Sequence, residues 1–357
     1  MPYDNRRPSG HRPEDYRRRP ASSERRRAPT GSRKRRKRRY RLRLRAKVLL
    51  VLLLAFILFG MGRCAASAIR DKGPVEDTSL AVADTDQAIQ PKDIAGHSAI
   101  AIDAKSGKVL FAKAADEQKY PASLTKLMTV YVALQEEKDL DREVEFTADM
   151  FEGLAEKDLA TVGYQVGDKA TIEDLLYATI LPSGADAARA LAIATAGSES
   201  AFVDLMNTEA QSLGMRGTYF KNVTGAHNPK HISTAADMAK LLRAGLKNDT
   251  FAQVVQTMHY TTGATSTAPD GLTLNHTLAR YLDHFDRVMT DPPFEILGGK
   301  TGYTHEAGLC LATVARDRDN NDHAIVVVLD GKGNAGNYYP VLKDSAILYD
   351  AIFTKIK

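Results

Sequence analysis

Apolar positions are spread unevenly along the 357 residues. The first 47 show no apolar period and are rich in Arg, Pro and Ser, the signature of a segment that stays disordered. Residues 48–62 are fifteen consecutive uncharged positions, mostly Leu, Val, Ile and Phe. At 1.5 Å per residue a helix there spans about 22 Å, short of a hydrocarbon layer of about 30 Å unless Lys47 and Arg63 snorkel or the helix continues through 65–69. Residues 63–91 mix small, acidic and Pro residues without pattern and read as a linker with a reach of about 30 Å.

From residue 92 to 357 the pattern becomes globular. Apolar runs at 98–103 and 108–112 flank Ala104-Lys105-Ser106-Gly107, which reads as a hairpin. An apolar-rich helix over 124–134 follows Pro121. Thr171 with Asp174 forms a capping-box signature before a helix to about Leu181, and 185–196 is a second strong helix former. Phe202, Leu205, Met206 and Leu213 keep helical spacing up to Gly214, and Met238, Leu241 and Leu242 mark a helix after Ser233. Residues 308–314 and 324–329 read as strands and 338–356 as a closing helix. Strands at both ends with a helical middle predict an α+β layered domain.

Charge sharpens the division. Residues 1–47 hold 20 Lys+Arg against four acids, leaving 29 bases and 40 acids in the rest, so the overall +5 describes neither part. A basic stretch directly before an apolar run favours an uncleaved signal anchor, with the tail in the cytoplasm and the domain outside. A cleaved signal peptide ending at Ala66-Ser67-Ala68 is the alternative. The basic tail is better explained by topology and contact with anionic lipid than by nucleic acid. Two cysteines, Cys64 and Cys310, exclude a disulfide framework and zinc-ligand spacing.

Of sixteen serines, only Ser123 has a lysine three places on, in Pro121-Ala122-Ser123-Leu124-Thr125-Lys126. If the helix starts just after Pro121, Ser123 sits in its first turn and Lys126 one turn later on the same face. A neutral lysine there can take the hydroxyl proton, provided desolvation or a nearby cation lowers its pKa. By itself the pair is more often a capping serine and a solvated lysine. Two further stretches change that: Gly299-Lys300-Thr301-Gly302-Tyr303, just before a predicted strand, and Pro182-Ser183-Gly184, in a break between helices.

These motifs, in this order, resemble the serine D-alanyl-D-alanine carboxypeptidases among the low-molecular-mass penicillin-binding proteins, relatives of the class A β-lactamases. Leu175-Leu176-Tyr177, Leu181-Pro182-Ser183-Gly184, His227-Asn228-Pro229, Ser233-Thr234-Ala235 and Lys300-Thr301-Gly302-Tyr303-Thr304 carry the resemblance over about 93–357. It implies a sandwich of helices around an antiparallel sheet, with a mostly helical subdomain. Ser123 would be the acylated nucleophile, Lys126 its base and Ser183 a proton relay to the leaving amine. Lys300 and Thr301 would bind the terminal carboxylate, with Gly302 and Tyr303 completing the motif and the N–H groups of Ser123 and Tyr303 forming the oxyanion hole. The implied substrate is the peptidoglycan pentapeptide, β-lactams are the implied inhibitors, and neither metal nor cofactor is required. The resemblance leaves no room for the C-terminal β-domain and amphipathic anchor of many relatives, so the N-terminal helix would attach the chain to the membrane.

One position departs from the pattern: the second motif is usually Ser-x-Asn, and here the third place is Ala185. A missing amide costs about 1 to 3 kcal/mol if nothing replaces it. Two rivals follow, a wall-binding scaffold that keeps the cleft without turnover, and a β-lactamase, for which Glu152 and Glu156 lie in roughly the right region without a marking pattern. His227 and His231, four apart, are separated by Pro229, which disfavours a metal-binding helix. His305 follows the third motif, where a place lining the cleft and a solvated side chain are equally compatible with the sequence. Cys310 reads as a small buried strand residue. Arg63 before Cys64 fits a lipoprotein signal poorly.

Overall fold

The computed structural model of the protein describes residues 81–82, 90–282 and 291–355. The basic tail, the apolar run at 48–62 and most of the linker lie outside the described residues, within which no helix is long and apolar enough to cross a membrane. The described residues all belong to one compact unit.

Its strands and helices run in the order β1 (Ala81–Val82), β2 (Ser98–Asp103), β3 (Lys108–Lys113), α1 (Thr125–Glu136), β4 (Glu143–Glu145), β5 (Lys169–Thr171), α2 (Ile172–Ile180), α3 (Ala185–Ala196), α4 (Glu199–Ser212), α5 (Ala235–Gly245), α6 (Asp249–Gln256), β6 (His259–Thr261), β7 (Thr273–Asn275), β8 (Phe294–Thr304), β9 (Gly308–Asp317), β10 (His323–Gly331) and α7 (Tyr339–Lys355). The main sheet has the order β1-β3-β2-β10-β9-β8, antiparallel apart from the short β1, which pairs parallel with β3. Strands from both ends of the domain meet at its centre, where Asp103 in β2 faces Ala324 in β10. The α+β expectation holds. Ala81–Val82 lies inside the stretch read as a linker, so part of that stretch joins the sheet.

Both faces of the sheet are covered, and successive residues of β10 show how. Ile325, Val327 and Leu329 face a core built with α1, α2, α3, α4 and α5. Ala324, Val326 and Val328 face a second core with α7, including Tyr349, Leu348 and Phe353. A strand buried on both faces needs an unbroken apolar run, which is why 324–329 reads so clearly in sequence.

The helix ends follow local chemistry. Asp174 N–H donates to Thr171 Oγ1 at 3.0 Å and Thr171 N–H to Asp174 Oδ2 at 3.2 Å, the reciprocal box the sequence suggested. Helix α5 is capped by Thr234, whose Oγ1 accepts from Asp237 N–H at 3.0 Å. The final helix and the hairpin of β2 and β3 match expectation within a residue or two.

The largest difference concerns Lys300-Thr301-Gly302-Tyr303. The sequence placed this motif before a strand, but it lies within β8, the outermost strand of the main sheet, with Lys300 opposite Ala312 and Gly302 opposite Cys310. Gly298, Gly299 and Gly302 depress strand propensity and hide the element. Gly299 has φ +151°, and a Cβ there would fall 2.0 Å from Ala312 O, so the strand needs glycine at that point.

Candidate active site

The first motif sits where α1 begins. Ser123 lies in a 3-10 turn, Ala122–Leu124, that runs into α1, one step ahead of the helical turn expected for it. Ala122 has φ +47°, a left-handed conformation that interrupts helical geometry between Pro121 and Ser123. Lys126 is in the first turn of α1, and its Nζ donates to Ser123 Oγ at 3.1 Å and to Thr224 O at 2.8 Å.

Two glycines press on this turn. At Gly225, with φ +85°, a Cβ would lie 1.9 Å from Ala122 O; at Gly302 it would lie 3.0 Å from Ser123 N. Strand β8 and the 224–225 segment therefore clasp the serine from different chain regions, at an approach distance that only glycine permits.

Electrostatics here follow from burial. Lys126 is 2% exposed, and desolvation holds its amine down to about 7, against a smaller opposing pull from Asp186. Lys300 is fully buried and is lowered well below an ordinary lysine, first by desolvation and then by repulsion from Lys126. Its Nζ donates to Thr301 O at 3.0 Å. Both amines are thus biased towards the neutral form, and a carboxylate arriving at Lys300 would draw a proton to it.

The second motif falls between α2 and α3. Ser183 is 7% exposed with φ +66°, a second non-glycine residue held left-handed at the site. The buried Asp186 accepts from the N–H groups of Val162, at 3.0 Å, and Gly163, at 3.3 Å, fixing the preceding loop against α3. Burial raises its carboxyl pKa while these hydrogen bonds pull it back. Ala185 is fully buried, with its N–H donating to Ala160 O at 2.7 Å. Thr277 ties the second motif to the third, its N–H donating to Leu181 O at 2.9 Å while its hydroxyl meets Thr301 Oγ1 at 2.7 Å.

Behind Lys300, His276 Nε2–H donates to Gly299 O at 2.9 Å and Nδ1 accepts from Leu278 N–H at 3.0 Å. Burial, followed by repulsion from Lys300, lowers this imidazole to about 3, so it stays neutral beside the lysine.

The structure brings Ser123, Lys126, Lys300, Thr301 and Gly302 together, and the segment that carries Ser183 is tied to them through Leu181 and Thr277. Tyr303 follows on β8, half-buried, its ring packed on the α7 side. Sequence reasoning missed Asp186, Thr277, His276 and the Thr224 carbonyl. Asp186 carried a signal, an acid in the first turn of a helix next to the second motif. The others are brought in from remote segments.

Other expectations resolve too. Cys310 is fully buried, as read, and burial pushes its thiol up to about 12. His231 is buried with both ring nitrogens engaged by the protein. His227 packs edge-on against Tyr120 at 4.8 Å between ring centroids, with Nδ1 3.8 Å from Glu306 Oε2. His305 is exposed. Glu152 and Glu156 are exposed on the loop before β5. A polar groove of about 460 Å³ opens beside Thr224, lined in part by Lys157, Arg189, Tyr219, Lys221 and His227.

Comparison with known proteins agrees with this geometry. Residues 85–333 match the family described as D-alanyl-D-alanine carboxypeptidase, peptidase S11. The D-alanyl-D-alanine carboxypeptidase of Streptomyces sp. (strain K15) is 32% identical over 266 residues, covering 71% of this chain and 87% of that protein. D-alanyl-D-alanine carboxypeptidase DacF of Bacillus subtilis (strain 168) is 33% identical over 231 residues, 65% of this chain, which spans about half the length of that relative (56%). The crystal structure of the Streptomyces K15 DD-transpeptidase superposes with a TM-score of 0.61 at 29% identity, over 73% of this chain and 97% of that one. Since the matched region runs through Ser123, Ser183 and Lys300 alike, the chain belongs to the D-alanyl-D-alanine carboxypeptidase family of serine peptidases.

Proposed function

We propose that this enzyme removes the terminal D-alanine of peptidoglycan stem peptides through an acyl-enzyme at Ser123. The observation that carries the reading is the buried Lys126 amine, 3.1 Å from Ser123 Oγ and held near neutrality by desolvation. Lys126 takes the hydroxyl proton as Ser123 Oγ attacks the carbonyl of the penultimate residue. Backbone N–H groups of Ser123 and Tyr303 receive the oxyanion. The amide C–N bond breaks as Lys126 returns its proton through Ser183 to the departing amine, and D-alanine leaves. Water then attacks the ester, Lys126 again accepting a proton and returning it to Ser123 Oγ as the ester C–O bond breaks. Lys300 and Thr301 hold the substrate carboxylate, and Thr277 fixes the Thr301 hydroxyl.

A β-lactam offers a carboxylate and a strained amide in similar relative positions and acylates the same serine. Incubation with a fluorescent penicillin labels the wild-type chain and leaves Ser123→Ala dark; label persisting in that variant overturns the assignment. The buried methyl of Ala185 favours a second reading, in which the cleft is kept without turnover. Release of D-alanine from a synthetic pentapeptide, dependent on Ser123, separates the two.

We also place the catalytic domain outside the cytoplasmic membrane, tethered through residues 48–62. Support comes from the uncharged run directly after a 47-residue stretch that holds 20 basic residues. Alkaline carbonate should leave the full chain in the membrane pellet and release a fragment of residues 93–357; extraction of the full chain contradicts the tether.

A further inference from the structure

His231 lies just before α5, 2% exposed, outside the three motifs. Lys221 N–H donates to its Nδ1 at 3.2 Å, so that nitrogen carries no proton and the ring proton sits on Nε2. Nε2 faces Thr125 Oγ1 at 2.8 Å. Thr125 has one hydroxyl proton, and its Oγ1 lies 2.8 Å from Ala122 O. The directions are therefore set along the whole chain: Lys221 N–H to Nδ1, Nε2–H to Oγ1, Oγ1–H to Ala122 O.

That last carbonyl shares one planar peptide unit with Ser123 N–H, so fixing the oxygen fixes where the N–H points. The plane needs fixing, because Ala122 is left-handed and therefore strained. Gly225 closes on the same carbonyl from another direction.

We propose that His231 is a positioning residue for acyl transfer, holding the Ala122–Ser123 peptide plane through Thr125 and so aiming the Ser123 N–H at the substrate carbonyl oxygen. This rests on Ser123 being the nucleophile. Burial, with a smaller contribution from His227, lowers the His231 imidazole to about 4, which keeps this tautomer in place at neutral pH. Lys126 belongs to the same helix turn, but no hydrogen bond joins it to this relay among the described residues. The relay therefore acts on the oxyanion side of the reaction, while Lys126 acts on the proton.

The test combines His231→Leu, Thr125→Val, their double variant and His231→Gln. Stopped-flow acylation by a fluorescent penicillin and D-alanine release from a pentapeptide are both followed. His231→Leu and Thr125→Val each lower the limiting acylation rate and kcat by about 10- to 100-fold, the scale of a sub-ångström misplacement, while KM stays within about twofold. The double variant falls no further than the worse single one, because both break the same chain of bonds. His231→Gln recovers most of the rate, since its amide N–H reaches Thr125. Unchanged rates in both single variants, additive losses, or a loss carried by KM overturn the proposal. If His231→Leu does not fold, Thr125→Val and the nitrogen-15 spectrum of His231 in the wild-type protein decide: an Nε2–H tautomer at pH 7 is expected, and an Nδ1–H tautomer overturns it. Labelling of Ser123→Ala would instead defeat the nucleophile assignment, so the two failures are distinguishable.

Discussion

At the scale of single residues, the site works by denying water to two amines. An ordinary lysine is protonated at neutral pH and useless as a base, whereas Lys126 is pulled down to about 7 by its own burial. Its neutral fraction grows with pH, so the limiting acylation rate should rise about tenfold per unit below pH 7 and level off above it. A profile flat from pH 5 to 9 would assign the proton to another group. Stability follows the same sign: a lysine lowered on folding destabilises the fold when both states are protonated, and the penalty is relieved as pH rises from about 7 towards 10.5. Ser123, Lys126, Ser183 and Lys300 were legible because the three motifs are short and ordered along the chain. Thr224, Thr277 and His231 were not, since a carbonyl has no sequence signature and the two side chains act only after distant loops have docked.

At the scale of elements, the serine turn depends on what is pressed against it. Gly225→Ala puts a methyl into the Ala122 carbonyl at a φ that alanine resists. The variant should lose at least 100-fold in penicillin acylation, with a lowered melting temperature; normal acylation would mean that the turn shifts freely. Thr171→Ala removes one half of the box that starts α2, and urea unfolding should show a loss of about 1 kcal/mol with little change in acylation. Helices with clear caps and apolar periods were readable. Strand β8 was concealed by the glycines its function requires. Helix α6 has eight residues, and β4, β5, β6 and β7 three each, too short for periodicity to register.

At the scale of the molecule, the sheet is a shared wall. Lys300 pairs with Ala312, whose side chain belongs to the core that also holds α1, and α7 supports the opposite face through Tyr349, which is fully buried, bonds Thr313 Oγ1 at 2.9 Å and lies against Phe294 and Phe353. Tyr349→Ala touches no reacting group, yet it should cost about 3 to 5 kcal/mol. Penicillin binding and circular dichroism should then be lost at one common urea midpoint; separate midpoints would show that the two cores melt independently. The layered architecture was legible from strands at both ends of the domain, but the order in which those strands lie side by side was not, because strand neighbours are chosen by three-dimensional closure.

That closure has a consequence during synthesis. The partners Asp103 and Ala324 are separated by about 220 residues, so the first hairpin emerges from the ribosome long before its neighbour exists. Ser123 and Lys126 are translated well before the wall behind them, which is finished only by β8, β9 and β10. Competence to react is therefore acquired late, long after the reactive serine itself has been made.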